Sequence, residues 1–236
     1  MRISIQFSPN KQPVDFNYID LLIRRFHQWL GGNNEKHGEK LALYSFSWLQ
    51  GKVKVIKKVE YNLEKSYLDF PEGAKWVISA WESDIINRIM VGIFNDHYGF
   101  YGMKAKQVWV EEPPQFGTSQ IFRTISPILV KRYINNKTVY FTYDNPESDT
   151  FLTETLQNKL KKAGLDPEVK VSFVKDYPSA KTRLVTHKNI QIKVNQCPVK
   201  VEGTPEQIEF AWNVGIGNST GIGFGAIEPL DELPEM

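Results

Sequence analysis

Apolar and polar residues alternate over residues 2–8, the two-residue period of a strand with one buried face, and the stretch from Pro9 to Pro13 ends it as a turn. Over 16–30 the period lengthens: Ile19, Leu22, Ile23, Phe26 and Leu30 recur at helical spacing, with Asp15 or Asn17 as the cap and Gly31-Gly32 as the stop. A polar loop at 33–40 leads into a strand-like run at 41–49, and further runs follow at 52–59 and 75–80. Ile85, Ile86, Ile89, Met90 and Ile93 form a second helical stripe over 82–95, with Ser83 as its expected cap, before alternation returns at 104–110. The predicted order is β-α-β-β-α-β, the ferredoxin-like arrangement, elaborated by an extra hairpin.

Pro113-Pro114-Gln115-Phe116-Gly117 reads as a linker, which divides the chain into modules at 1–116 and 117–236. The second module opens with strand-like runs at 121–125, 128–134 and 139–143. A helix introduced by Asp144 or Asn145, with Pro146 in its first turn, then closes in the basic turn Lys159-Leu160-Lys161-Lys162 before Gly164. Strands are expected at 169–174, 182–187 and 190–201. Thr204-Pro205-Glu206-Gln207 has the spacing of a capping box on a short last helix, and a final strand is expected at 224–227. The fold class is α+β: two tandem ferredoxin-like domains with a C-terminal glycine-rich loop.

With 236 residues, 41% of them hydrophobic, the chain is long enough to bury a sizeable core. It contains no apolar run of bilayer length, and its alternating start is unlike a secretion signal, so no membrane association and a cytoplasmic location are expected. A lone cysteine, Cys197, excludes an intrachain disulfide and a Cys-rich zinc site, and neither a metal nor a cofactor is expected. The formal net charge of +2 does not by itself indicate a polyanionic partner. However, Glu228, Asp231, Glu232 and Glu235 gather acid in the tail and leave a more basic body, which suits phosphates. Lysine-rich runs such as 52–58 serve equally as solvated strand faces.

Residues 215–225 hold five glycines in eleven positions, directly after the last helix. Such density lets main-chain amides converge on an anion and lets a nucleic acid approach without side-chain obstruction. No Gly-Lys-Ser/Thr follows, and a helix precedes the loop while a strand follows it, so it is neither a Walker A motif nor a dinucleotide fingerprint. A loose connection would serve as a bland alternative, but Ile216, Ile222 and Phe224 are suited to anchoring the loop to a core. The pattern Gly-hydrophobic-Gly, five residues, Gly-hydrophobic-Gly resembles the terminal loop of the repeat-associated RNA-binding superfamily of CRISPR systems. In particular, the chain is similar to the CRISPR-associated endoribonucleases of the sixth Cas family. Leu43-Tyr44-Ser45-Phe46-Ser47 resembles that family's second-strand motif and Phe122-Arg123-Thr124-Ile125-Ser126-Pro127-Ile128 its mid-chain Ser-Pro motif. The resemblance implies binding of CRISPR repeat RNA and metal-independent cleavage of precursor CRISPR RNA, leaving a 5′-hydroxyl and a 2′,3′-cyclic phosphate. Proteins of a CRISPR effector complex are further candidate partners, and a homodimer stays open.

Metal-free RNA cleavage needs a base for the 2′-hydroxyl, an acid for the departing 5′-oxygen and positive charge near the phosphate. His37 lies in the polar loop just before the second strand, where the resembling family places a catalytic histidine. His27, on the first helix, could face the same cleft. Tyr44 could orient a hydroxyl and Lys40, or Lys36, could supply charge. For RNA binding the candidates are Gly215, Gly217, Asn218, Ser219, Thr220, Gly221, Gly223 and Gly225 of the loop, with Arg123, Lys131 and Arg132 around the Ser-Pro motif. His97 and His187 are not expected in the site. Some superfamily members bind RNA without cutting it, which leaves a non-catalytic subunit open, and a phosphate site for a small nucleotide is a third reading.

Overall fold

In a computed structural model, which describes residues 1–32, 41–60, 63–188 and 190–230, the opening alternation becomes β1 (Arg2–Phe7). Its Ile3, Ile5 and Phe7 are buried in the first core, while Arg2 and Ser4 point from the opposite face and are buried as well. The first module continues through α1 (Ile19–Trp29), β2 (Tyr44–Phe46), β3 (Lys54–Glu60), β4 (Leu63–Asp69), β5 (Lys75–Ala80), α2 (Ser83–Asn95) and β6 (Ala105–Glu111). Its antiparallel sheet has the order β2-β5-β1-β6, with Ile3 opposite Ile78 on one side and Val110 on the other. This is the ferredoxin-like strand order. Leu22, Phe26 and Trp29 of α1 and Ile85, Ile86 and Ile89 of α2 cover the apolar face. Burial of each such side chain contributes about 1.5–3 kcal/mol.

The second module repeats the plan with β7 (Ser119–Thr124), β8 (Lys131–Ile134), β9 (Lys137–Tyr140), α3 (Ser148–Ala163), β10 (Lys170–Phe173), β11 (Lys181–His187), β12 (Ile190–Gln196), β13 (Val199–Glu202), α4 (Pro205–Val214) and β14 (Ile227–Pro229). Its sheet has the order β10-β13-β7-β14, the same permutation as the first. The hairpins β3–β4 and β11–β12 occupy equivalent places, each inserted between the second and third strands of its module.

Helix α4 contacts both sheets, which brings the modules together along the polar face of the first. Ser45 and Ser79 share a hydroxyl contact of 3.0 Å there, and Ser45 Oγ donates to the Asn213 carbonyl at 3.3 Å. Arg2 lies 3.2 Å from Glu111, donates to the Ile227 carbonyl at 2.8 Å, and stands over the Trp212 ring at 4.6 Å. On the other flank β11–β12 reaches α1, where Ile192 and Val194 pack with Ile19, Leu129 and Phe224, and His187 Nδ1 lies 2.7 Å from Asp20.

Several local expectations change for identifiable reasons. The run at 41–49 pairs as a regular strand over only Tyr44–Phe46; beyond it Ser47 and Gln50 still donate to β5 carbonyls at 2.8 and 2.9 Å, while the amide of Trp48 donates to the Ile125 carbonyl of the second module at 3.1 Å. Strand β4 has no apolar alternation to announce it and forms by pairing with β3. The run at 190–201 is two strands, broken around Pro198, which has no amide to donate: β12 pairs with β11, while β13 moves to β7 and β10. The N-cap of α1 is Tyr18, not Asp15 or Asn17, and Asp15 instead accepts from the Tyr101 hydroxyl at 3.0 Å. Ser83 is the first residue of α2, and its N-cap is Glu82, whose side chain does not bond the helix's first amides. The capping box on α4 forms as its spacing predicts, with Thr204 and Gln207 each accepting from the other's amide.

Candidate functional site

Three segments far apart in sequence meet where the modules join. The Ile216 amide donates to the Gly225 carbonyl at 2.8 Å, which closes residues 216–225 into a loop. The Gly225 and Asn218 amides donate to the carbonyls of Pro127 and Leu129, both at 2.8 Å, and the Ala226 amide donates to Ser126 Oγ at 2.9 Å. The Trp48 indole donates to the Gly223 carbonyl at 2.8 Å. The Ser-Pro segment and the residues around β2 therefore form the bed on which the glycine-rich loop lies.

Two glycines show what this bed demands. At Gly225, with φ of +69°, a Cβ would stand 1.9 Å from the Ile216 carbonyl oxygen. At Gly221 it would stand 2.9 Å from Ala42 Cβ and 3.1 Å from the Tyr44 hydroxyl oxygen, so the bare backbone lets the loop lie against β2. The loop is thus closely packed. Amides of Gly215, Ile216, Asn218, Ile222, Gly223 and Gly225 all donate within the protein, and much of the glycine content serves this packing.

In front of the loop is a cavity of about 270 Å³. It is lined by residues 217–222 of the loop, by His27 and Tyr44 of the first module, and by Lys131, Thr155 and Lys159 of the second. His27 is half-buried on the last turns of α1, and its ring meets Phe26 edge-on at 5.3 Å. Tyr44 stacks on the other face of the same cluster, 4.9 Å from Phe26 at an interplanar angle of 15°. The strand and helix carrying these two groups are fixed by the first core, so the cavity has a preformed wall.

The cavity brings together His27, Tyr44, Lys131, Gly217, Asn218, Ser219, Thr220 and Gly221. Gly215, Gly223 and Gly225 support the loop from its ends. Arg132 is held against α3, donating to the Phe151 carbonyl at 2.9 Å and to Glu154 at 2.8 Å, with its guanidinium over the Phe151 ring. Arg123 pairs with Glu228 and lines a separate groove with Gln6 and Lys75. His37, Lys36 and Lys40 lie outside the described residues.

Lys159, which the sequence places in the basic turn that closes α3, is not solvated there. It is 2% exposed, and its Nζ donates to the Val214 and Gly215 carbonyls, both at 3.0 Å, and to Thr220 Oγ1 at 3.1 Å. Burial lowers its pKa to about 7. A neutral amine satisfies the same geometry by donating to both carbonyls and accepting from the threonine hydroxyl. Lys159 is thus a post beneath the loop, joining the end of α4 to Thr220. A signal was present in the sequence: Leu152, Thr155, Leu156, Lys159 and Leu160 fall on one helical stripe, and all five are buried.

Two ferredoxin-like modules sharing a cleft lined by a glycine-rich loop, a histidine and a tyrosine define the class: a double-module α+β protein whose candidate site is built at the module boundary. Residues 111–229 match the family described as CRISPR associated protein Cas6, C-terminal. The match covers half of the chain, and the chain belongs to the Cas6 family. A protein of Methanocaldococcus jannaschii described as CRISPR-associated endoribonuclease Cas6 1 is 27% identical over 251 residues, spanning 98% of this chain and 94% of that one. Among solved structures, a Cas6-related protein from Pyrococcus furiosus superposes with a TM-score of 0.81 at 18% identity, covering 98% of this chain and 99% of that one. A structure described as a RAMP protein binding different RNA substrates gives a TM-score of 0.80 at 17% identity, covering 98% and 100%. These two likenesses show the fold.

Proposed function

We propose that the chain binds CRISPR repeat RNA in the cleft between its modules and cuts precursor CRISPR RNA there without a metal ion. The observation that carries this reading is the shared cavity of His27, Tyr44 and residues 217–222 in a member of the Cas6 family. The 2′-hydroxyl beside the scissile phosphate attacks phosphorus, and the bond to the 5′-oxygen breaks. A base takes the 2′ proton, and an acid protonates the departing oxygen, which leaves a 2′,3′-cyclic phosphate and a 5′-hydroxyl. Histidine suits either proton-transfer role near neutral pH, and His27 and His37 are the two candidates. Tyr44 positions a hydroxyl, while Lys131 and Lys40 offset charge on the phosphate oxygens.

The test uses the purified chain, repeat RNA from its own array, and EDTA. One cut per repeat with a cyclic phosphate end is expected, and loss of cutting on chelation would rule out the mechanism. His27→Ala or His37→Ala should abolish cutting with binding nearly unchanged; if neither does, the assignment of histidine is wrong. Tight binding with no product at any pH would leave a non-catalytic repeat-RNA subunit.

A further inference from the structure

We infer that Tyr133, on the β8–β9 hairpin, is a stacking platform for the base next to the nucleotide seated in the cavity; this rests on the repeat-RNA reading above. A second groove, of about 460 Å³, is lined by Lys131, Arg132, Tyr133, Thr138, Glu154 and Asn158, and it shares Lys131, Thr155 and Asn218 with the cavity. The two therefore run on from one another past Lys131. On the hairpin Lys131 is opposite Tyr140 and Tyr133 opposite Thr138, so Lys131 and Tyr133 stand on one face, about 7 Å apart along the strand. Tyr133 is 72% exposed. An aromatic ring that open removes little apolar surface from water, so packing does not account for it.

The hairpin is held to the glycine-rich loop rather than hanging free. Asn218 donates its amide to the Leu129 carbonyl and accepts from the Lys131 amide with its side-chain oxygen, both at 2.8 Å. This sets the reach from the cavity to the ring. A single strand leaving the cavity meets first a cation able to take its phosphate and then an exposed aromatic face. This is the recurring arrangement for single-stranded RNA, and it tolerates any base because every base has a π-face. Arg132, between the two, lines the same groove with its guanidinium paired to Glu154 at 2.8 Å.

The experiment measures binding of the chain's own repeat RNA, with a 2′-deoxy nucleotide at the cut position so that no turnover occurs. Tyr133→Ala should weaken binding by about fivefold to a hundredfold, and Tyr133→Phe should stay within about twofold of the parent. The salt dependence separates stacking from charge: the log-log slope should be unchanged by Tyr133→Ala but reduced by about 0.7 by Lys131→Gln. An abasic nucleotide walked along the repeat should cancel the effect of Tyr133→Ala at one position only. Parental affinity in Tyr133→Ala, or no position at which the effect cancels, would overturn the platform while leaving repeat binding intact. Failure of the parent chain to bind repeat RNA would overturn both readings. Loss of a protein partner with RNA affinity unchanged would assign the ring to a protein contact instead.

Discussion

Lys159 reaches three oxygen atoms, none of them charged, and its ammonium form carries an uncompensated burial penalty. The folded-state pKa of about 7 lies below the ordinary 10.5, so between these values the unfolded chain binds more protons than the folded one. Stability linked to this group therefore rises with pH from about 7 to about 10.5, and below 7 the penalty is present in full. Urea midpoints measured across this window should climb, and Lys159→Met should flatten the slope. The same variant leaves two carbonyls and a hydroxyl without their donor, and a loss of about 1–3 kcal/mol is expected in the same titrations near neutral pH. Gly225→Ala meets both a left-handed φ and a carbonyl at 1.9 Å, and it should lower the melting temperature along with RNA affinity. Gly221→Ala presses on the Tyr44 hydroxyl, so its effect should fall more on cutting than on stability.

At the scale of elements, α4 shows how local chemistry and tertiary position combine. The reciprocal bonds of Thr204 and Gln207 with Pro205 in the first turn make its start independent of anything distant. Thr204→Ala should cost about 1 kcal/mol, seen as a fall of about 2–4 °C in the melting temperature with cleavage unchanged when cold. Its end is different: the Val214 and Gly215 carbonyls are answered by Lys159, 55 and 56 residues away in sequence. The helix is defined from within at one end and by the fold at the other. The hairpins extend the same contrast. β3–β4 was legible as an elaboration but its second strand was not, because β4 takes its shape from its partner and not from any period of its own.

For the whole molecule, the modules are joined through buried polar contacts as well as apolar area. Arg2 is 1% exposed, and burial pulls its pKa down to about 10 against the raising influence of Glu111. Arg2→Met removes the cation from Glu111 and the donor from Ile227. Destabilisation near the lower end of about 3–5 kcal/mol is expected from denaturant titration, since Lys75 stays 3.5 Å from Glu111. Because α4 serves both sheets, the parent should unfold in one transition by fluorescence and circular dichroism alike. Separation of the two signals in Arg2→Met would show this contact to be what couples the modules.

Much of the plan was set by the chain's own patterning. Periods of two and about 3.6 residues marked most of the strands and the first two helices, cap and stop residues marked the last two helices, and the five glycines with their flanking Ile216 and Phe224 marked an anchored loop. Such features depend on neighbours in sequence, where spacing alone decides which side chains share a face. What lay beyond them depends on residues that meet only after folding. The sequence could name His27 and Tyr44 as candidates, but only the packing of α1 on β2 brings them to one cavity with Thr220. In the sequence Lys159 is one lysine of a basic helix end, and only the arrival of α4 and the loop supplies the oxygen atoms that make its burial tolerable. Periodicity is a local property of a chain, whereas the satisfaction of a buried polar group is a property of the assembled fold.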